Sequence, residues 1–127
     1  MGLNARVELT VTDADTAQAL GSGDVPVLGT PRVIALAEAA TVAATAAYLQ
    51  PGTTTVGSRV EFDHQAATAV GHQITVLAVL AKIDGRRLIF DIVVREGTTQ
   101  VAEGRVERIM VDRQRFVARA FESGVTA

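Results

Sequence analysis

Thr30-Pro31-Arg32-Val33-Ile34-Ala35-Leu36-Ala37-Glu38-Ala39-Ala40-Thr41-Val42-Ala43-Ala44-Thr45-Ala46-Ala47-Tyr48-Leu49 is the stretch on which the fold turns, and Pro51-Gly52 follows it closely. Pro31 suits the first helical position, where its missing N–H has no partner to lose, and Thr30 offers an N-cap hydroxyl. Pro51-Gly52 ends the helix. About 19 residues make a rod of roughly 28 Å. After Arg32 its only charged residue is Glu38, and the rest is largely Ala, Val, Ile and Leu. A helix apolar nearly all round is expected to be buried. Its alanines let a sheet backbone pack close against it.

The flanking segments supply that sheet. Upstream, Ala5–Thr12 alternates, with Val7, Leu9 and Val11 on one face and Arg6, Glu8 and Thr10 on the other. Asp13–Gly29 reads as a loop with a helical turn near Asp15–Leu20, long enough to cover a site. Downstream, Thr53–His64 alternates, with Val56, Val60 and Phe62 expected on one face. Ile74–Ile83 is a continuous apolar run suited to a central strand. Asp84-Gly85 signals a hairpin, Arg87–Arg95 is its return, and Gly97-Thr98 turns into Thr99–Asp112, which carries Val101, Ile109 and Val111. The tail from Arg113 to Ala127 is weakly patterned and expected to fray. One helix wrapped by a curved antiparallel sheet of about five strands is an α+β architecture. Such a sheet leaves edges that need cover, and a dimer is the simplest cover.

Composition narrows the function. A chain of 127 residues with 48% hydrophobic residues makes one domain, 1–127, with 13–29 as a lid region and 113–127 as a tail. Twelve basic against fourteen acidic residues give a net charge of −2, without the basic stripe a nucleic-acid binder needs. Aromatics are 4%, with no Trp, which disfavours base-stacking platforms. Zero cysteines remove disulfides, thiol nucleophiles and Cys-based metal sites. No apolar run has signal-peptide or membrane-spanning character, so a cytoplasmic home without membrane contact is expected. Nucleotide-binding glycine motifs and the serine-hydrolase elbow are absent from the sequence.

Three residues stand out. Glu38 is a carboxylate in an apolar helix, to be paired, neutral or functional. Glu38, Thr41, Thr45 and Tyr48 recur at helical spacing, as one polar stripe beside a groove. A buried salt bridge or an interface hydrogen bond explains Glu38 equally well. His64 follows Phe62 on the inward face of its strand, where a satisfied core histidine is the commoner outcome. Thr30 sits at the positive end of the helix dipole, and an ordinary N-cap explains it. His64 and His72, without Cys, are a weak metal signal.

Together these segments look like the hotdog fold, and within it the chain resembles the fluoroacetyl-CoA thioesterase-like family. The matching pieces are Gly29-Thr30-Pro31, Ala37-Glu38-Ala39-Ala40, Pro51-Gly52, Val56-Gly57, His64-Gln65-Ala66-Ala67-Thr68 with Gly71, Asp84-Gly85-Arg86-Arg87-Leu88 and Gly104-Arg105-Val106-Glu107-Arg108. They span about Pro26 to Phe116. The spacings, 8 from Thr30 to Glu38 and 26 from Glu38 to His64, make the likeness specific.

The resemblance implies hydrolysis of a small acyl-CoA thioester to free acid and CoA. It maps the catalytic set onto Thr30, Glu38 and His64 and a substrate-contacting glycine onto Gly57. Thr41, on the Glu38 stripe, is a further substrate-side candidate, and Arg86, Arg87 and Arg108 are candidates for the CoA phosphates. CoA enters as substrate, and no metal or prosthetic group is required. The loop before Thr30 does not match the family's aromatic lid, so no preference for fluorinated acyl groups is carried over. Eight helical residues part Thr30 from Glu38 by about 12 Å. Thr30 therefore folds back, or, as we favour, one site draws Thr30 and Glu38 from two subunits of a homodimer. The competing readings are a non-catalytic acyl-CoA or small-ligand binding module, a purely structural dimer, and an enoyl-CoA hydratase-type lyase. The lyase is weakened because adjacent Asp63 and His64 point to opposite faces of a strand.

Overall fold

A computed structural model describes residues 2–125, with side chains through Glu122. The chain runs β1 (Asn4–Thr10), a 3₁₀ turn (Asp13–Asp15), α1 (Ala17–Leu20), α2 (Thr30–Thr45), β2 (Thr53–His64), β3 (Gln73–Asp84), β4 (Arg87–Glu96), β5 (Thr99–Asp112) and α3 (Arg113–Val125). The five strands form one antiparallel sheet in the order β1-β3-β4-β5-β2. Two hairpins, turned at Gly85 and Gly97 with positive φ, build its β3-β4-β5 centre. The β2 and β5 bounds are those expected from the sequence, and β3 and β4 differ by a residue at the ends.

The core lies between α2 and the concave face of the sheet. Val33, Leu36, Ala37, Ala40 and Ala44 of α2 meet Ile74, Val76, Ala78, Leu88, Phe90, Ile92, Val94 and Val106, all buried. The helix lies mainly against β1 and β3 and reaches less of β2 and β5. At about 25 cal/mol per Å² of apolar surface, each large aliphatic side chain buried here contributes roughly 1.5–3 kcal/mol.

Five details depart from the sequence reading. First, α2 is buried on one side only. Ala35, Ala39, Val42 and Ala43 face outward, Val42 being 49% exposed. One sheet wraps half a cylinder. Second, the N-cap is Gly29, in extended conformation, and Thr30 is the first helical residue. A Cβ on Gly29 would press on the Ala17 backbone at 3.0 Å, so a side chain there fits poorly. Third, α2 stops at Thr45, where the Thr45 hydroxyl turns back onto the Thr41 and Val42 carbonyls.

Fourth, β2 carries a bulge between Gly57 and Arg59. The bulge changes which residues face inward: Thr55 is buried before it, and Val60, Phe62 and His64 are the inward residues after it. Val56 therefore does not share a face with Val60. On β5 the inward residues opposite Thr55 and Gly57 are Met110 and Arg108, rather than Ile109 and Val111. Fifth, the tail is helix α3 instead of a fraying end, with Phe116, Val117 and Phe121 exposed. The tail's last two residues, 126–127, lie outside the described range.

No helix among the described residues is long and apolar enough to cross a membrane.

Candidate functional site

The loop between β1 and α2 is anchored at its base. The Asp15 carboxylate accepts the Thr12 amide at 2.8 Å, the Thr12 hydroxyl at 2.9 Å and the Arg32 Nε at 2.8 Å. Its own carbonyl accepts the Gly29 amide at 2.9 Å. Burial raises the Asp15 carboxyl. The Thr12 amide, the Arg32 guanidinium and the Thr12 hydroxyl together outweigh it and hold the group below its ordinary value. Leu28 N–H donates to the Thr68 carbonyl, tying the same loop to the segment after β2. These bonds set where α2 begins.

From that start Thr30 reaches His64, the last residue of β2. Thr30 Oγ1 lies 2.7 Å from His64 Nδ1. The hydroxyl thus serves the imidazole instead of capping the helix. His64 Nε2 is buried without a hydrogen-bond partner among the described residues, as is the Thr68 hydroxyl. Burial pushes the imidazole below its ordinary value, with a smaller opposing pull from the Ala66 backbone. His64 is accordingly neutral at pH 7, with one ring nitrogen held and the other uncommitted.

A second cluster forms midway along α2. Glu38 Oε2 lies 3.3 Å from Arg108 Nη1, and the Glu38 side chain is 38% exposed. Arg108 is buried. Its Nε donates to Thr55 Oγ1 at 2.8 Å and its Nη2 to the Thr55 carbonyl at 3.1 Å. Burial pushes the guanidinium down and Glu38 opposes this. It stays charged, since arginine begins so far above neutrality. Gly57 lies beneath the carboxylate, and a Cβ added there would collide with Glu38 Oε2. The bulge after Gly57 allows Thr55 and Gly57 to face inward together with Val60, Phe62 and His64, so that the Arg108 partners and the imidazole lie on one face.

The structure thus joins Thr30 with His64, and Glu38 with Gly57 and Arg108. Among the described residues no hydrogen bond links Glu38 to Thr30 or His64 within the chain. Thr41 faces the core, where its hydroxyl donates to the Glu38 carbonyl at 2.6 Å, so the expected polar stripe is not a groove lining. Arg108 is a buried partner of Glu38 and does not stand at a pocket mouth. Arg87 is on the opposite face of the sheet, 3.7 Å from Glu107. Arg86 is exposed at the hairpin. Thr55 and Asp15 escaped the sequence reading, because nothing in their spacing distinguishes them from other strand and loop residues. His72 pairs with Glu96 at the surface, away from His64. No group of three or more metal-ligating side chains occurs among the described residues.

Comparison with known proteins adds an independent line. Residues 11–114 match the family model described as fluoroacetyl-CoA-specific thioesterase. The chain is 34% identical over 93 residues, 73% of its length, to the fluoroacetyl-CoA thioesterase of Streptantibioticus cattleyicolor, covering 67% of that protein. A solved structure of fluoroacetyl-CoA thioesterase superposes with a TM-score of 0.88 at 28% identity, covering 94% of this chain and 93% of the other. A thioesterase superfamily member from Thermus thermophilus gives 0.89 at 26% identity, over 98% and 94%. A hot-dog-like protein from Thermanaerovibrio acidaminovorans, at 20% identity and TM-score 0.87 over 94% and 89%, shares the fold.

Proposed function

Because this chain belongs to the fluoroacetyl-CoA-specific thioesterase family and has its hotdog fold, we propose that it hydrolyses the thioester of a small acyl group on CoA to free acid and CoA, with Glu38 as base or nucleophile. The observation that carries this reading is the state of Glu38. One oxygen is steered by a buried cation and the side chain remains partly open.

A thioester carbonyl needs an activated nucleophile and a proton for the departing sulfur. In one route Glu38 takes a proton from a water that attacks the carbonyl carbon. The C–S bond breaks, and the thiolate is protonated as CoA leaves. In the other, Glu38 attacks directly, CoA leaves, and water cleaves the resulting anhydride. In both, Arg108 fixes the carboxylate by a charge-assisted hydrogen bond. Gly57, with no side chain, leaves the room that the Glu38 carboxylate itself occupies. His64, neutral and held by Thr30, takes up the proton that the attacking water gives up, through Glu38 in the first route and during anhydride cleavage in the second, and hands it to the CoA thiolate. The Thr30 amide at the start of α2 polarises the carbonyl, the Gly29 and Arg32 amides being committed and Pro31 having none.

The site is completed by a second copy, the Thr30–His64 pair of one protomer facing the partner's Glu38. Two features support this: the outward Ala-rich face of α2, and the unpaired edge of β2, which bears both Gly57 and His64. A two-fold pairing covers both at once. A cytoplasmic setting is part of the proposal.

The test is thiol release over a panel of acyl-CoA esters. Glu38→Gln lowers kcat by about 10²–10⁴-fold, the range of a removed general base. Unchanged turnover, or acyl-CoA binding without thiol release by the wild-type protein, refutes the reading. Mixing Glu38→Gln with His64→Ala protomers restores activity when sites are shared between subunits, and restores none when each chain holds a whole site.

A further inference from the structure

Where α2 ends, β5 passes into α3 and the β3–β4 hairpin turns alongside. This junction holds a cleft of about 470 Å³, lined in part by Tyr48, Met110, Arg86 and Arg115. A smaller adjoining recess of about 110 Å³ shares Arg86, Asp112 and Arg115 and adds Phe116 and Arg119. Three guanidinium groups therefore line one continuous hollow. Arg6, Arg32, Arg59, Arg87, Arg105 and Arg108 each meet a carboxylate within 4 Å. Among the described residues Lys82, Arg86, Arg95, Arg113, Arg115 and Arg119 meet none, and three of these six, Arg86, Arg115 and Arg119, line this hollow. The single acid in the hollow, Asp112, accepts the Arg115 amide at 2.9 Å and offsets part of the positive charge. A chain of net charge −2 has thus concentrated unpaired cations here. Two of its five aromatic rings, Tyr48 and Phe116, stand beside them, 43% and 42% exposed.

Unpaired arginines with open rings suit a ligand bearing phosphates and a flat base. Guanidinium forks grip phosphate oxygens, and aromatic faces stack on a base. The hollow lies further along β5 from the Glu38 site. The inward residues of β5 run Arg108, Met110, then Asp112, and Met110 and Asp112 line the cleft. Four strand residues cover roughly 13 Å, an interval an extended pantetheine arm can cross.

We propose that Arg86, Arg115 and Arg119 form the subsite for the phosphorylated adenosine end of the substrate, with Tyr48 and Phe116 flanking the adenine. The inference rests on the acyl-CoA reading. It moves phosphate recognition from Arg87 and Arg108, both committed to carboxylates, to the three unpaired arginines that share this hollow.

The experiment compares acetyl-CoA with acetyl-pantetheine, which lacks the nucleotide, on the full chain, together with calorimetric binding of adenosine 3′,5′-bisphosphate. In Arg115→Ala/Arg119→Ala, KM for acetyl-CoA rises by about tenfold or more, the equivalent of one lost charge-assisted contact. Its kcat, and all constants for acetyl-pantetheine, stay as in the wild type. Arg86→Ala adds to the effect. Lysine at both α3 positions restores part of it. The bisphosphate binds the wild-type protein more tightly than the double variant, and more tightly still at low salt. Equal KM for acetyl-CoA in variant and wild type overturns the subsite, as does an equal loss with both substrates. Absence of thiol release from either substrate by the wild-type protein overturns the thioesterase reading, and bisphosphate binding then judges the cleft alone. Binding of the bisphosphate unaltered by the substitutions overturns it.

Discussion

Asp15 and Glu38 are two carboxylates set against two arginines, and they are treated in opposite ways. Asp15 is nearly enclosed, and three donors converge on its side chain. Glu38 receives one longer contact from a guanidinium that is itself committed to Thr55, and much of its side chain is open. The first acid is spent on holding a loop to a helix. The second is oriented without being consumed. A carboxylate in an apolar helix is ambiguous in sequence, and the number of acceptor positions it leaves unfilled is what separates a fastener from a candidate reagent.

That contrast predicts separable damage. Glu38→Gln produces the largest effect, a fall in kcat of about three orders of magnitude. Its urea midpoint stays near the wild-type value, because a half-open group contributes little to stability. Asp15→Asn does the reverse. It turns an amide toward Arg32 and leaves part-buried donors unmatched, at a cost of roughly 2–3 kcal/mol in chemical denaturation. A Glu38 variant that unfolds like the Asp15 variant would erase the distinction. Gly57→Ala comes next. The new methyl displaces the Glu38 carboxylate, lowering kcat by about 10–100-fold while stability changes by about 1 kcal/mol.

Two pH measurements sharpen the comparison further. Asp15 is held below its ordinary 3.8, so its contribution to stability is present above that value and lost as pH falls through the lower native one. Denaturation midpoints of the wild type should drop across that acid window, and Asp15→Asn should flatten the drop. His64 is held below its ordinary 6.5, and in the proposed route the neutral form is the competent one. The rate should therefore be maintained down through pH 6.5 and fall only at lower pH, with the inflection on the acid side of a free imidazole.

Much of this was legible in the residues. The alternation in Thr53–His64, the apolar run Ile74–Ile83 and the turns at Asp84-Gly85 and Gly97-Thr98 give the strands and the two hairpins at the centre of the sheet, because hairpin signals and period-two patterning are local, whereas the long-range pairings of β1 with β3 and β2 with β5 are not. The candidates Thr30, Glu38, His64 and Gly57 were also readable, through spacing and resemblance. What escaped depends on strand phase and long-range packing. In Val106-Glu107-Arg108-Ile109-Met110-Val111 the apolar pair Ile109 and Val111 reads as the inner face. The structure points Arg108 and Met110 inward instead, opposite Gly57 and Thr55. Regular alternation from Val106 sets that phase on β5, but on β2 a bulge is what keeps Thr55 and Gly57 opposite it, and a bulge leaves no periodic trace. Asp15 was hidden for a similar reason: its partner Arg32 lies 17 positions away, across the loop.

The irregularity after Gly57 also has a meaning for how such a chain can change over time. It splits the outermost strand into two stretches whose inside–outside parity is set separately, one presenting Thr55 and Gly57, the other Val60, Phe62 and His64. Removing a single residue at Ser58 would invert one stretch relative to the other, turning either the Arg108 clamp or the imidazole away from the reaction. Point substitutions can tune this enzyme gradually, whereas a length change at that one position is an all-or-nothing event.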